Sequence, residues 1–253
     1  MLISIAIVTY NRFELFQKCI NAVLKTTENV EKEIIIWDNA SKDNTISFIK
    51  ELENKFTFIK PFFSEKNIGV NAKSMSVILT KGDYIIGIDD DVIDFESGWV
   101  DKMINAFNSV KELGYLALDV VQDEFTNGAK PPKENYEEKI INKNVTLEYG
   151  PVGGWCFMIP RYVYEKVGKL RQCKKSIFFS EESDYIIRCE MKGYSSAILK
   201  NVKCYHATGP YFNKKYQDIY DSKLKQFTDD KDFYKFKRKI KYKIFKIRKK
   251  LLK

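Results

Sequence analysis

The chain is short of the residues on which several chemistries depend. Its 253 residues contain one histidine, His206, and five cysteines, Cys19, Cys156, Cys173, Cys189 and Cys204, with no Cys-x-x-Cys pair. That usage argues against a disulfide framework or a zinc cage and fits a reducing compartment. No apolar run approaches the roughly 18 residues of a membrane-spanning helix. The opening run from Met1 to Tyr10 is short and has no basic leader, so it is expected as a first strand and not as a signal peptide. There is no internal repeat and no low-complexity linker. Outside one segment there is also no excess of charge. Residues 231–253 hold 12 Lys and Arg against the single acid Asp232, whereas the other 230 residues hold 31 basic and 33 acidic side chains. The formal net charge of +9 is therefore a property of the tail, and a near-neutral body does not support a specific nucleic-acid partner.

What is present is enough apolar material, 44% of residues, for a sizeable core. Leu2 to Val8 is apolar except for Ser4, as in a strand buried on both faces. Thr9-Tyr10-Asn11 then offers capping groups for a helix whose apolar positions are Phe13, Phe16, Ile20, Val23 and Leu24. Ile34 to Trp37 predicts a second strand, ending in Asp38-Asn39-Ala40-Ser41. A helix over Asp43 to Glu53, a strand near Phe56 to Phe62, a helix over Val70 to Leu79 and a strand over Tyr84 to Ile88 follow. This alternation predicts an α/β fold with a mostly parallel central sheet flanked by helices. Such sheets bind ligands at the carboxyl ends of their strands, which is where Thr9 to Arg12, Asp38 to Asp43 and Asp89 to Asp91 fall. The second half is less regular. Residues 122–148 read as a long polar loop or an insertion, Trp155 to Ile159 as an apolar run, Glu181 to Lys192 as a helix and Ala197 to Tyr205 as a strand reaching His206.

Three adjacent acids, Asp89, Asp90 and Asp91, repel one another unless a cation sits among them. A hard divalent ion is the natural partner; the bland alternative is a solvated acidic turn. His206 is a further ligand if the acids hold a metal, and imidazole suits manganese better than calcium. Glu181, Glu182 and Asp184 open a helix, where acids serve the helix dipole; one of them can instead act as a general base.

These segments together resemble the inverting family-2 glycosyltransferases of the GT-A fold. Ile3 to Arg12 is similar to their opening strand, and Trp37 to Asp43 to their second-strand motif. Asn67-Ile68-Gly69-Val70-Asn71-Ala72 resembles the Asn-x-Gly segment along the nucleotide. Gly82 to Asp91 resembles the strand carrying Asp-x-Asp, and Gly153-Gly154, Arg161 to Gly168 and Phe179 to Asp184 resemble the acceptor side. The resemblance covers about residues 1–210 and implies a nucleotide-sugar half (1–95) and an acceptor half (96–210), followed by an extension over 211–253. It implies that Thr9, Tyr10 and Arg12 line the nucleotide pocket, with Asp38 accepting from the base and Asn67 and Gly69 close to the nucleotide. Asp89 and Asp90 lie on the donor side. Asp91, Asp89 and His206 are the implied ligands of Mn2+ or Mg2+. Gly154 and Trp155 flank the donor sugar or acceptor, with Trp155 equally able to be core. The family commonly has Glu-Asp at the base, where this chain has Glu181-Glu182 and then Asp184. Glu182 aligns with the base, with Glu181 and Asp184 as rivals.

The implied reaction is metal-dependent, inverting transfer of a sugar from a nucleotide-diphosphate donor, UDP-linked for preference, to a hydroxyl of a glycan or lipid-linked acceptor, in surface polysaccharide or glycoconjugate synthesis. In the tail, Phe233, Phe236, Ile240, Ile244, Ile247 and Leu251 share one face of a helix, with Lys and Arg around the rest. Such a helix suits an anionic membrane surface and a cytoplasmic protein peripheral to the inner face; Ile240 to Ile244 also alternates as a strand would. Two alternatives stand beside the transferase. A nucleotidyltransferase would want a glycine-rich loop after the first strand, and Val8 to Arg12 contains no glycine. An inactive carbohydrate-binding or membrane-associated scaffold would not need the full set of acids.

Overall fold

The computed structural model describes residues 1–126, 130–172 and 181–213. The predicted tail helix over 231–253, most of the 211–253 extension, and Phe179 lie outside them.

Elements alternate in the first half as β1 (Ile3–Thr9), α1 (Phe13–Thr26), β2 (Lys32–Asp38), α2 (Thr45–Lys55), β3 (Ile59–Phe63), α3 (Asn71–Ile78) and β4 (Tyr84–Asp89). The second half adds β5 (Val92–Phe95), α4 (Trp99–Ser109), β6 (Leu113–Val120), β7 (Glu137–Asn142), β8 (Val145–Tyr149) and β9 (Cys156–Pro160). It closes with α5 (Arg161–Val167), α6 (Glu181–Met191), β10 (Ser195–His206) and α7 (Pro210–Asn213). The strands form one sheet in the order β3-β2-β1-β4-β9-β6-β10-β8-β7, with β5 paired to β10. β3, β2, β1 and β4 are mutually parallel. Beyond β4, parallel pairing is confined to β6 and β10, and the remaining pairs are antiparallel. The α/β class holds, and the parallel character expected of the sheet belongs mainly to its first half.

The core explains this layout. Ile3, Ile5, Ile7, Ile34, Ile36, Ile86 and Ile88 fill the side of the sheet that packs on Phe16, Ile20 and Val23 of α1. On the opposite face Ala6, Ile85, Tyr115, Phe157 and Ile159 meet Val163, Tyr164, Tyr185 and Cys189 from α5 and α6. Apolar residues thus face both ways along β1 and β4, which is why these strands read as unbroken apolar runs.

Two local expectations are corrected. Thr9-Tyr10-Asn11 does not cap α1: Arg12 occupies the N-cap without a side-chain cap bond, and the Phe13 N–H donates to Asp43 Oδ2 at 3.1 Å. The acid that serves this helix end comes from a different loop. Residues 122–148 are not one long loop either, because β7 and β8 pair there as an antiparallel hairpin. β7 is an edge strand exposed along its whole length, so it has no buried face to betray it in the sequence. β8 does bury Val145 and Leu147.

Candidate active site

The carboxyl ends of β1, β2 and β4 meet on one rim of the sheet, and hydrogen bonds stitch their loops together. The Asn11 N–H donates to Ser41 Oγ (3.0 Å), and the Asn11 side-chain Oδ1 accepts from the Lys42 N–H (2.7 Å). Asn39 Nδ2 donates to Asn67 Oδ1 (2.8 Å), while the Ile68 N–H donates to Asn39 Oδ1 (3.0 Å). Gly69 follows in the left-handed region at φ 61°, a conformation that favours glycine. Asn39 therefore fixes the Asn67 to Gly69 turn against the end of β2, a role its position in a polar turn does not advertise.

Asp38 is fully buried and its Oδ2 accepts from the Ser41 N–H at 3.0 Å. Its Oδ1 is buried with no hydrogen-bond partner among the described residues. Such an orphaned acceptor is costly unless something completes it. Thr9 is buried at the end of β1, with Tyr10 partly exposed beside it.

The three acids do not emerge together. Asp89 is partly exposed, whereas Asp90 and Asp91 are buried. Arg12 Nη1 donates to Asp90 Oδ1 at 3.1 Å and to Asp91 Oδ2 at 2.9 Å. Asp90, expected on the donor side, pairs there with Arg12, itself expected to line the nucleotide pocket. The pairing of β5 with β10 sets Val92 opposite His206, and the Ala207 N–H donates to Asp91 O at 2.7 Å. Those contacts bring His206 Nε2 to 2.9 Å from Asp91 Oδ1. Burial pushes Asp90 up, and the neighbouring Arg12 only partly offsets it. Burial would raise Asp91 as well, but His206 and Arg12 outweigh it and hold Asp91 below the usual carboxylate range. For His206, burial opposes protonation and Asp91 more than compensates, so its pKa is raised.

Asp89, Asp91 and His206 each offer a ligand atom, and these lie within 4.8 Å of one another. His206 Nδ1 is buried without a partner among the described residues. Among the described residues Asp89, Asp90, Asp91 and Glu182 face two fixed cations, Arg12 and Lys73, so carboxylates outnumber them there. Such a carboxylate and imidazole set fits a divalent ion of the manganese or magnesium kind.

Across the cleft, α6 is anchored by buried Tyr185 and Cys189, and Glu182 sits one turn before Tyr185 on the same side. Its Oε1 accepts from Lys73 Nζ at 2.6 Å, and the same ammonium donates to Asp89 Oδ1 at 2.7 Å. Asp184 points elsewhere: it pairs with Arg188 Nε (2.8 Å) and Arg171 Nη1 (3.3 Å). Those ion pairs make Asp184 a strut of α6. Glu181 opens that helix, and its side chain lies outside the described set. Gly154 lies against the Glu182 carboxylate. Trp155 takes the core option: it is 4% exposed and its Nε1 donates to Leu118 O at 2.9 Å. Lys73 is the site residue that sequence reading missed. The available signal was a lysine in the first turn of a helix, where the dipole disfavours it.

A parallel half-sheet with acids at its carboxyl ends, closed by a mixed half that returns a histidine and a glutamate to the same rim, defines a GT-A domain. Solved structures share the fold, and two of them illustrate it. One is the mannosyltransferase PcManGT from Pyrobaculum calidifontis, at TM-score 0.60 and 15% identity over 88% of this chain and 62% of that one. The other is TarS from S. aureus, at TM-score 0.61 and 14% identity over 84% and 61%. The family model described as Glycosyl transferase family 2 matches residues 4–168, and the chain belongs to that family. The abequosyltransferase RfbV of Salmonella typhimurium is 38% identical over 97 residues, covering 36% of this chain. The chain spans about a quarter of that relative's length, the match covering 28% of it.

Proposed function

We propose that this chain transfers a sugar from a nucleotide-diphosphate donor to an acceptor hydroxyl with inversion, with Glu182 as general base. The observation that carries the reading is the convergence of Glu182 with the Asp89, Asp91 and His206 cluster on one rim, bridged through Lys73. Asp38 Oδ1, orphaned at the end of β2, supports a nucleobase there, because a ring N–H would complete it. Thr9, Tyr10 and Arg12 would border the nucleotide, and Gly154, whose missing side chain leaves room for the Glu182 carboxylate, would flank the donor sugar or acceptor. Asp89, Asp91 and His206 would hold Mn2+ or Mg2+, which when bound supplies Lewis-acid stabilisation of the diphosphate.

In the step itself the acceptor oxygen attacks the anomeric carbon from the face opposite the diphosphate. Glu182 takes the hydroxyl proton, the anomeric C–O bond breaks, and its electron pair leaves on the diphosphate. Base assistance of this kind contributes about 10²- to 10⁴-fold. PcManGT was solved with GDP-Man and Mn2+, and TarS with UDP-GlcNAc; both support a nucleotide-sugar donor, and we favour UDP. The acceptor is a glycan or lipid-linked hydroxyl in surface polysaccharide or glycoconjugate synthesis. Residues 1–95 would serve the nucleotide sugar and 96–210 the acceptor.

The test is a donor panel of UDP-glucose, UDP-N-acetylglucosamine and GDP-mannose, with Mn2+, Mg2+ or chelator, on wild type, Asp91→Ala and Glu182→Gln. Metal-dependent cleavage of one donor, lost in both variants, supports the reading. Near-normal rates in both variants would overturn it. No helix among the described residues is long and apolar enough to cross a membrane. We propose that the basic tail brings the chain to the inner, anionic face of the membrane. Unchanged liposome sedimentation after truncation at Asp230 would refute that.

A further inference from the structure

Lys73 is placed at a cost. It is the third residue of α3, so its ammonium stands near the positive end of that helix dipole. Its side chain is only 13% exposed, and burying a charge is unfavourable without partners. The partners are two carboxylates from distant parts of the chain: Asp89 at the end of β4 and Glu182 at the start of α6, at 2.7 and 2.6 Å. A third, longer bond runs to Gly154 O at 3.4 Å, in the residue whose Cα backs the Glu182 carboxylate. The Phe157 ring lies 5.9 Å beneath the ammonium. Lys73 therefore touches β4, the 153–155 strand approach and α6.

We propose that Lys73 is a positioning residue for the transfer step, its ammonium tying the Glu182 carboxylate to Asp89 so that base and donor-side acid keep a fixed separation. This rests on Glu182 being the base. Binding α3 to α6 through one charge also means that the turn following Asn67 and Gly69, where the nucleotide would lie, is mechanically joined to the base. Glu182 sits in the first turn of a helix preceded by residues outside the described set, and the bond to Lys73 supplies a constraint from the opposite side of the cleft. A misplacement of about 1 Å in a reacting group costs on the order of 10²-fold in rate.

The experiment is a double-mutant cycle on the full chain: Lys73→Met, Lys73→Arg, Glu182→Gln and Lys73→Met with Glu182→Gln. Donor turnover is read for the panel sugar that wild type cleaves, with water as acceptor and Mn2+ present. UDP with Mn2+ is the calorimetric probe of binding, and thermal melts report folding. Lys73→Met is expected to lower kcat about 10- to 100-fold with UDP affinity within about threefold of wild type. Lys73→Arg is expected to recover much of that loss. The double variant is expected to be no slower than Glu182→Gln alone, because a residue acting through the base has nothing left to act on. Multiplying effects, or a loss confined to UDP affinity, would overturn the positioning role. Wild-type kcat in Glu182→Gln would instead overturn the base assignment, whatever Lys73 does.

Discussion

Gly154 and Glu182 are in direct contact: a Cβ on Gly154 would lie 2.2 Å from Glu182 Oε1 and 2.6 Å from its Cδ. No side chain fits at 154 unless the carboxylate moves. The glycine is there for space, since its backbone is not among the left-handed ones.

Gly154→Ala is therefore expected to displace Glu182 and to lower kcat about 10- to 100-fold while leaving the fold intact. Turnover with Mn2+ and the cleaved donor, beside a thermal melt, checks this. Unchanged kcat would mean that Glu182 relaxes elsewhere without consequence and is not the base.

His206→Asn is expected to weaken the apparent Mn2+ affinity by at least about tenfold, since outer partners alone of a metal site contribute 10- to 100-fold. Titrating Mn2+ against the thermal midpoint reads this without turnover. An unchanged titration would remove His206 from the ligand set.

Trp155→Phe separates a core role from a sugar-flanking one. Losing the indole N–H leaves Leu118 O without that donor, at about 1–3 kcal/mol of stability. A lowered melting temperature with unchanged donor KM is expected. A raised KM with unchanged stability would return Trp155 to the pocket.

Glu33 predicts part of the acid limit. Burial pushes its carboxyl up, but bonds from Lys60 Nζ (2.7 Å), Ser4 Oγ (2.7 Å) and the Lys81 N–H (2.5 Å) outweigh it and hold it below its ordinary value. A depressed carboxyl adds stability that is present above its unfolded pKa and is lost as pH falls through the folded one. Glu33→Gln should thus be less stable than wild type at neutral pH, and the gap should narrow as pH drops below about 4.5. Urea midpoints across that range test it; a gap independent of pH would show that the charge of Glu33 is not what matters.

Much of the β1–β4 half was legible because it is local. A strand buried on both faces announces itself as an apolar run, as Leu2 to Val8 and Ile34 to Trp37 do, and the residue after its last apolar position must lie at the rim. Thr9, Asp38 and Asp89 could be placed there without coordinates for that reason. The hairpin of β7 and β8 could not, since an exposed edge strand carries no alternation to read, and neither could the Asp43 cap on α1, which crosses between loops.

The sequence by itself determined the strand–helix rhythm, the acids at strand ends, the family and the separation of a neutral body from a basic tail, because composition and periodicity are properties of neighbouring residues. Only the tertiary structure decided which charges pair. Arg12 pairs with Asp90 and Asp91, Asp184 goes to Arg171 and Arg188, and Lys73 reaches Glu182 across 109 positions of sequence. Long side chains on separate elements find their partners through sheet order and helix packing. No spacing in the chain encodes a distance between the ends of β4 and α6.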